Sequence, residues 1–186
     1  MNRFVIVTGL PASGKSTIGR TVAAGLALPF LDKDEFLESL FCDTGPYDLD
    51  HRRTLSRLAD ESFRSRALAC AGAVLASWWR HPGSSVDSGT PSDWLTTLPG
   101  PAVEIHCRCD PAVAAERFFV RRRQPGHLDG QRSRAQLLVQ FREQSVLGPL
   151  GLGFLIDVDT SGAVDQEALL RRVVQAFETA HHSHAL

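Results

Sequence analysis

Five short apolar runs, separated by amphipathic and polar stretches, set the rhythm of the chain. Phe4-Val5-Ile6-Val7 lies inside a run from Arg3 to Thr8 with the continuous apolar character of a strand buried on both faces. Leu28 to Asp32 reads as a short second strand, Ala73 to Trp79 as a third, Ala102 to Cys107 as a fourth and Phe154 to Val158 as a fifth. The third has two competitors: the run can continue the preceding helix, or the strand can sit at Ser85 to Asp87. Between the runs lie helices. Lys15 to about Ala27 is one. Asp50 to Ala71 is another, with Leu55, Leu58, Ala59, Phe63, Ala67, Cys70 and Ala71 at three-and-four spacing and Gly72 as its stop. Thr90-Pro91-Ser92 starts a short helix. Asp110-Pro111 caps and opens a longer one that Gln124-Pro125-Gly126 breaks. Ser133 to Val146 carries Ser133 and Gln136 at capping-box spacing, and Ala163 to Ala180 closes the chain as a helix. The alternation gives an α/β fold around a parallel sheet.

The first loop carries the strongest chemistry. Gly9-Leu10-Pro11-Ala12-Ser13-Gly14-Lys15-Ser16 has the spacing G-x-x-x-x-G-K-[ST], between a strand and a helix, where that motif cradles a polyphosphate. Glycines let the backbone turn its N–H groups inward, and the helix points its positive end at the same anion. Gly9, Pro11, Ala12, Ser13, Gly14, Lys15, Ser16 and Thr17 are therefore the candidate ATP-binding residues. In this role Lys15 bridges the outer phosphates and Ser16 ligates Mg²⁺.

The second strand ends in Asp32-Lys33-Asp34-Glu35, a cluster too charged for a core. Neighbouring parallel strands end at one sheet edge, so this cluster falls beside the phosphate loop, with Asp32 and Asp34 on one side while strand geometry lasts. Asp32 is a candidate metal ligand with Ser16. Asp34 is the candidate general base; a metal-binding or structural role and a helix cap are the alternatives.

Arg117 and Arg121 stand four apart on the helix after Pro111, followed by Arg122 and Arg123. Guanidiniums at a helix-to-loop junction suit a lid, over about residues 117–134, that closes on phosphate. His127 and Asp129 lie in the same lid and are candidate contacts to an acceptor hydroxyl, or turn residues. The polar Arg80 to Trp94 segment, including Asp87, is either an acceptor pocket or a surface loop anchored by Trp94.

Composition narrows the rest. A chain of 186 residues with 43% hydrophobic residues is long enough to bury one core, and no repeat or linker marks a second domain within 1–186. A net charge of −1 argues against a general nucleic-acid scaffold, although Arg52, Arg53, Arg57, Arg64 and Arg66 can still line one helix face. Eighteen arginines stand against two lysines, Lys15 and Lys33, so each lysine is informative. Cys42, Cys70, Cys107 and Cys109 form no C-x-x-C pair, and no apolar run reaches membrane-spanning length. With no leader-like opening either, a reduced, cytoplasmic setting is expected. The His181-His182-Ser183-His184 tail reads as a solvated end.

Taken together, Gly9 to Ser16, Leu31 to Phe36, Arg117 with Arg121, and Ile156-Asp157-Val158-Asp159-Thr160-Ser161 resemble small P-loop kinases. The chain is similar to the group of AAA-type ATP-binding proteins that includes chloramphenicol phosphotransferase and the kinase half of phage polynucleotide kinase. The resemblance implies a three-layer fold with a five-stranded parallel sheet in the order 2-3-1-4-5, flanked by helices and topped by the Arg-rich lid. It also implies Mg²⁺-dependent transfer of the ATP γ-phosphate to a hydroxyl, with Asp34 as base, Arg117 and Arg121 in the lid, and Thr160, Ser161 and Gly162 near the adenine. Where such proteins carry an acidic residue at the end of the third strand, Ala76 and Ser77 stand here, and Asp87 is one substitute. Glu35-Phe36-Leu37 replaces the basic residue that polynucleotide kinases place after the acidic pair. A small-molecule acceptor, an antibiotic or nucleoside-like metabolite among them, is thus favoured over a 5′-hydroxyl polynucleotide and over a non-catalytic nucleotide switch.

Overall fold

The computed structural model describes residues 2–41 and 48–183. Cys42 and His184 lie outside the described residues, as do the side chains of His181 and His182. The first apolar run forms β1 (Arg3–Gly9), the middle strand of the sheet. It pairs in parallel with β3 (Gly72–Ala76) on one side and β4 (Ala102–Arg108) on the other. β2 (Phe30–Asp32) extends the sheet beyond β3, and β5 (Phe154–Asp159) extends it beyond β4, giving the order β2-β3-β1-β4-β5.

Alternation along β1 sends its side chains into two cores. Val5 and Val7 pack with Val74, Val103 and Ile105 against α1 (Lys15–Leu26) and α6 (Gln166–Ser183). Phe4 and Ile6 face the other way, into Phe63 and Ala67 of α3 (Leu49–Leu68), Trp79 and Trp94. A third cluster seats Leu10 of the first loop against α4 (Pro111–Val120) and α5 (Arg134–Ser145) through Phe118, Leu137 and Phe141. No helix is long and apolar enough to cross a membrane among the described residues.

Several boundaries differ from the sequence reading, each for an identifiable reason. The strand geometry of β2 ends at Asp32, whose Oδ1 accepts the Asp34 amide at 3.1 Å and starts α2 (Lys33–Glu38) at once. Gly72 does not stop a helix; it opens β3, where a side chain would meet the Arg3 carbonyl at 2.6 Å. β3 is neither a continued helix nor a strand at Ser85 to Asp87: residues 72–76 pair in register with residues 3–7. Trp78 and Trp79 fall beyond the strand, and Trp79 Nε1 donates to the Val7 carbonyl at 3.0 Å. The short helix expected from Thr90 is a 3₁₀ turn over Asp93–Thr97, because Thr90 bridges back to Trp79. α4 ends at Val120, so Arg121 is extended, with ψ of 141°, and does not share a helix face with Arg117.

Glu104 anchors the connection from α5 to β5. It is wholly buried, and its carboxylate accepts the amides of Leu150, Gly151 and Leu152 at 2.7 to 2.9 Å. The Thr8 hydroxyl adds a fourth bond at 3.0 Å. One carboxylate thus fastens a glycine-bearing loop to the end of β1. Glu104→Ala is expected to cost about 3 kcal/mol, read as a lower urea midpoint; an unchanged midpoint would mean that the loop amides find water instead.

Candidate active site

The strand–loop–helix context fixes the phosphate loop. Gly9 and Gly14 adopt φ of 132° and 91°, and Ala12, though not a glycine, adopts 61°. At Gly9 a side chain would meet the Cys107 carbonyl at 2.5 Å, so both conformation and space require glycine. Gly14 caps α1 without a side-chain hydrogen bond, which leaves the first helical amides available to an anion.

Lys15 lies back on its own loop, donating to the carbonyls of Leu10 at 2.7 Å and Gly9 at 3.1 Å. Burial drives its pKa from 10.5 down to about 8, although Cys107, Asp32 and Asp34 favour the charge. Beside it, Ser16 Oγ donates to Asp32 Oδ2 at 2.5 Å. Burial pushes the Asp32 carboxyl up, while this bond and the Asp34 amide pull it back. A hydroxyl and a carboxylate converging at the start of a helix are hard oxygen donors, a pair that fits Mg²⁺ carried in with phosphates.

These groups open onto one cleft of about 1000 Å³. Pro11, Ala12, Gly14, Lys15, Ser16 and Thr17 line one end, with Asp32 and Asp34 beside them. Gly9 and Ser13 do not line it: Gly9 backs the loop, and Ser13 Oγ is buried without a partner among the described residues. The opposite wall is a polar stripe on α3. Arg52, Arg53, Ser56, Arg57 and Asp60 recur at three-and-four spacing alongside the buried Ala59 and Phe63, and all line the cleft. Arg64 and Arg66, grouped with them in the sequence reading, do not.

Asp34 is half-exposed to the cleft and ion-paired with Arg123 at 2.5 Å. Burial raises its carboxyl, but Arg123 and the nearby lysines outweigh that and leave it below the ordinary carboxylate range. Asp129 gathers the lid, accepting from Arg121 and Arg123 at 3.4 Å each. His127 is buried and meets Glu38 through Nε2 at 2.8 Å, while Arg52 donates to its carbonyl at 3.1 Å. Burial and the surrounding guanidiniums push the His127 pKa down to about 3, so it is a neutral imidazole donating to Glu38. The lid is thereby fastened to α2 and α3.

Arg117 takes a different path from Arg121. Its guanidinium donates to the carbonyls of Thr160 at 2.7 Å and Ser161 at 2.9 Å, holding the turn after β5. Arg117 lines the cleft, whereas Thr160, Ser161 and Gly162 do not. Asp87 lines it and pairs with Arg80 at 2.6 Å. The sequence reading did not give Lys33, Asp60 or Arg132 a place in the cleft, although the helical recurrence of polar residues along α3 signals Asp60.

Comparisons with known proteins agree with this picture and sharpen it. The shikimate kinase family model matches residues 11–70, which hold the phosphate loop from Pro11 on, Asp32 to Asp34 and α3. A shikimate kinase of Clostridium beijerinckii is 36% identical over 77 residues, 41% of this chain and 45% of its own length. That of Rhodopseudomonas palustris is 36% identical over 81 residues, 38% of this chain and 39% of its own. The chain therefore spans less than half the length of these curated relatives. A solved Chloroflexus aurantiacus protein described as a candidate kinase superposes with a TM-score of 0.74 at 28% identity, over 96% of this chain and 97% of the other. A gluconokinase of Sinorhizobium meliloti shares the fold, with a TM-score of 0.51 at 19% identity over 97% of this chain and 94% of its own. The fold is that of a P-loop kinase. The matches point to shikimate kinases rather than to the chloramphenicol phosphotransferase and polynucleotide kinase group that the sequence resembles.

Proposed function

We propose that this protein transfers the γ-phosphoryl group of ATP to a hydroxyl of a small hydroxylated acid. The observation that carries this reading is a single cleft with two unlike ends. One is a phosphate loop with Lys15, Ser16 and Asp32; the other joins Asp34 to arginines that no carboxylate neutralises. Among the described residues Arg57 has no hydrogen-bond or ion-pair partner, Arg52 donates to a carbonyl and Arg132 to Gln140. Arg52 is half-buried and Arg57 and Arg132 are exposed along the cleft wall, and guanidiniums gathered in a cleft without a counter-charge favour an anionic ligand. Shikimate and gluconate, named in the descriptions of the similar proteins, are both carboxylic acids bearing hydroxyls.

In this reading the loop amides and Lys15 hold the triphosphate, and Arg121 closes over the transferring group. Arg117 braces the turn at Thr160, Ser161 and Gly162 on the adenine side. Ser16 and Asp32 would hold Mg²⁺, which when bound offsets phosphate charge. Asp34 accepts the proton of the attacking hydroxyl. Its low pKa suits phosphoryl transfer, where bond breaking runs ahead of proton removal, and displacement of Arg123 by the acceptor strengthens it as a base. Asp129 and His127 hold the lid over the acceptor, and Asp87 belongs to the acceptor wall. The partner is thus a small molecule, and the setting a cytoplasm that supplies ATP.

The test is ADP release from Mg-ATP with shikimate, gluconate, glucose, chloramphenicol and a 5′-hydroxyl oligonucleotide as acceptors, with Lys15→Ala as the blank. Stimulation by a hydroxy acid is expected. Stimulation by glucose, chloramphenicol or the oligonucleotide alone would overturn the acid reading. ATP hydrolysis without any phosphorylated product would turn the protein into a nucleotide switch.

A further inference from the structure

We propose that Lys33 and Asp60 form a specificity pair that reads a second, unphosphorylated hydroxyl of the acceptor. The inference rests on the kinase reading above and names the acceptor class more narrowly. Lys33 is one of two lysines beside eighteen arginines, and it stands next to Asp34 at the start of α2. Only 7% of it is exposed, yet it lines the cleft with Ser56 and Asp60 of α3. Its Nζ donates to Ser56 Oγ at 2.5 Å and stands 3.6 Å from Asp60 Oδ1, beyond hydrogen-bond reach. Asp60 Oδ1 is buried and accepts no hydrogen bond among the described residues, although the side chain as a whole is 19% exposed.

The pair is therefore a loose ion pair rather than a close-contact one. An ammonium has three protons to donate, and Ser56 takes one. Burial lowers the Lys33 ammonium and raises the Asp60 carboxyl; each partly relieves the other and the Thr90 hydroxyl also relieves Asp60, yet both buried groups still gain from a further polar partner. The charges select its chemistry. A carboxylate or phosphate cannot donate to Asp60 and meets its like charge; a cation meets Lys33 in the same way. A hydroxyl accepts from an ammonium and donates to a carboxylate at once. Lysine suits this task better than arginine, because its ammonium is a compact point donor rather than a flat fork built for carboxylates. The acidic group of the acceptor goes to Arg57 and its neighbours, leaving Lys33 and Asp60 to a neutral one. The acceptor is then an acid with at least two hydroxyls, one at Asp34 and one between Lys33 and Asp60.

The experiment compares each hydroxy acid, shikimate and gluconate, with its analogues in which one non-reacting hydroxyl is replaced by hydrogen. Wild type, Lys33→Met and Asp60→Asn are measured by kcat/KM and by tryptophan-fluorescence titration, which reads binding without turnover. In wild type, one deoxy analogue should lose about 10- to 100-fold. In either variant that loss should shrink to within about two-fold, because the second hydroxyl no longer has its partner pair. If the variants weaken the parent acid and every deoxy analogue by one common factor, the pair is structural and the proposal falls. Should Lys33→Met fail to fold, Asp60→Asn carries the same comparison. Wild type that phosphorylates neither acid but binds them with this deoxy discrimination would overturn the kinase reading alone. Wild type that binds neither overturns both.

Discussion

Asp34→Asn should lower turnover by about 10²- to 10⁴-fold while leaving ATP binding close to wild type. Asparagine keeps the shape of the side chain and removes its ability to take a proton. It also releases Arg123, the partner of Asp34 at 2.5 Å. The loss should sit in kcat, since the proton moves only as the phosphoryl group does. The pH profile supplies a second check. The Asp34 carboxyl lies below the ordinary range in the acceptor-free protein, so its carboxylate persists as pH falls to and below the usual aspartate value. The acidic limb of kcat/KM, which reports the free enzyme, should therefore begin lower than for an unperturbed aspartate. A variant that kept full transfer rate with normal ATP affinity would remove Asp34 from the base role.

Lys15→Met should abolish measurable transfer, a loss of about 10³-fold or more by the scale of charge stabilisation at a transferring phosphoryl group. It should also make the ligand-free protein more stable. The Lys15 pKa falls from 10.5 to about 8 on folding, so below pH 8 the folded state holds a charge that it disfavours. That cost, about 3 kcal/mol at neutral pH, is relieved as pH rises from about 8 toward 10.5. The bonds to the Gly9 and Leu10 carbonyls are lost in the variant and offset part of the gain. Denaturation midpoints at pH 7 and pH 10 are the measurement. The stability advantage of Lys15→Met should be present at pH 7 and shrink at pH 10; an advantage that grows with pH would contradict the burial argument. Function here outweighs stability, as expected where a charge is buried to meet a ligand.

Much of this was legible in the residues. The five strands and the loop carrying Lys15 follow from buried runs and a motif whose spacing leaves little freedom, and the strand order follows from the resemblance to P-loop kinases. Two of the boundaries that misled share one cause, a contact distant in sequence. Gly72 looks like a helix stop until β1 lies beside it, where the Arg3 carbonyl leaves no room for a side chain. Arg117 and Arg121 look like neighbours until α4 ends at Val120 and Arg117 turns to the Thr160 and Ser161 carbonyls. Asp32 and Asp34 reach the same cleft, yet by a cap and a helical turn rather than by strand alternation. The far wall of the cleft was least legible, because it is assembled from α2, α3, the 77–90 loop and the lid. Only the α3 stripe leaves a local periodic trace.

The central place of β1 also has a consequence during synthesis. Arg3–Gly9 leaves the ribosome before its partners, residues 72–76 and 102–108. Until the second of these emerges, Phe4 to Val7 have one side unpaired, and the loop that follows them has no rigid base. Pairings this distant in sequence are slow to close, and an exposed apolar strand invites association with other nascent chains. Competence to bind a nucleotide therefore waits until residues 102–108 have been made, and until then the unpaired strand is open to association.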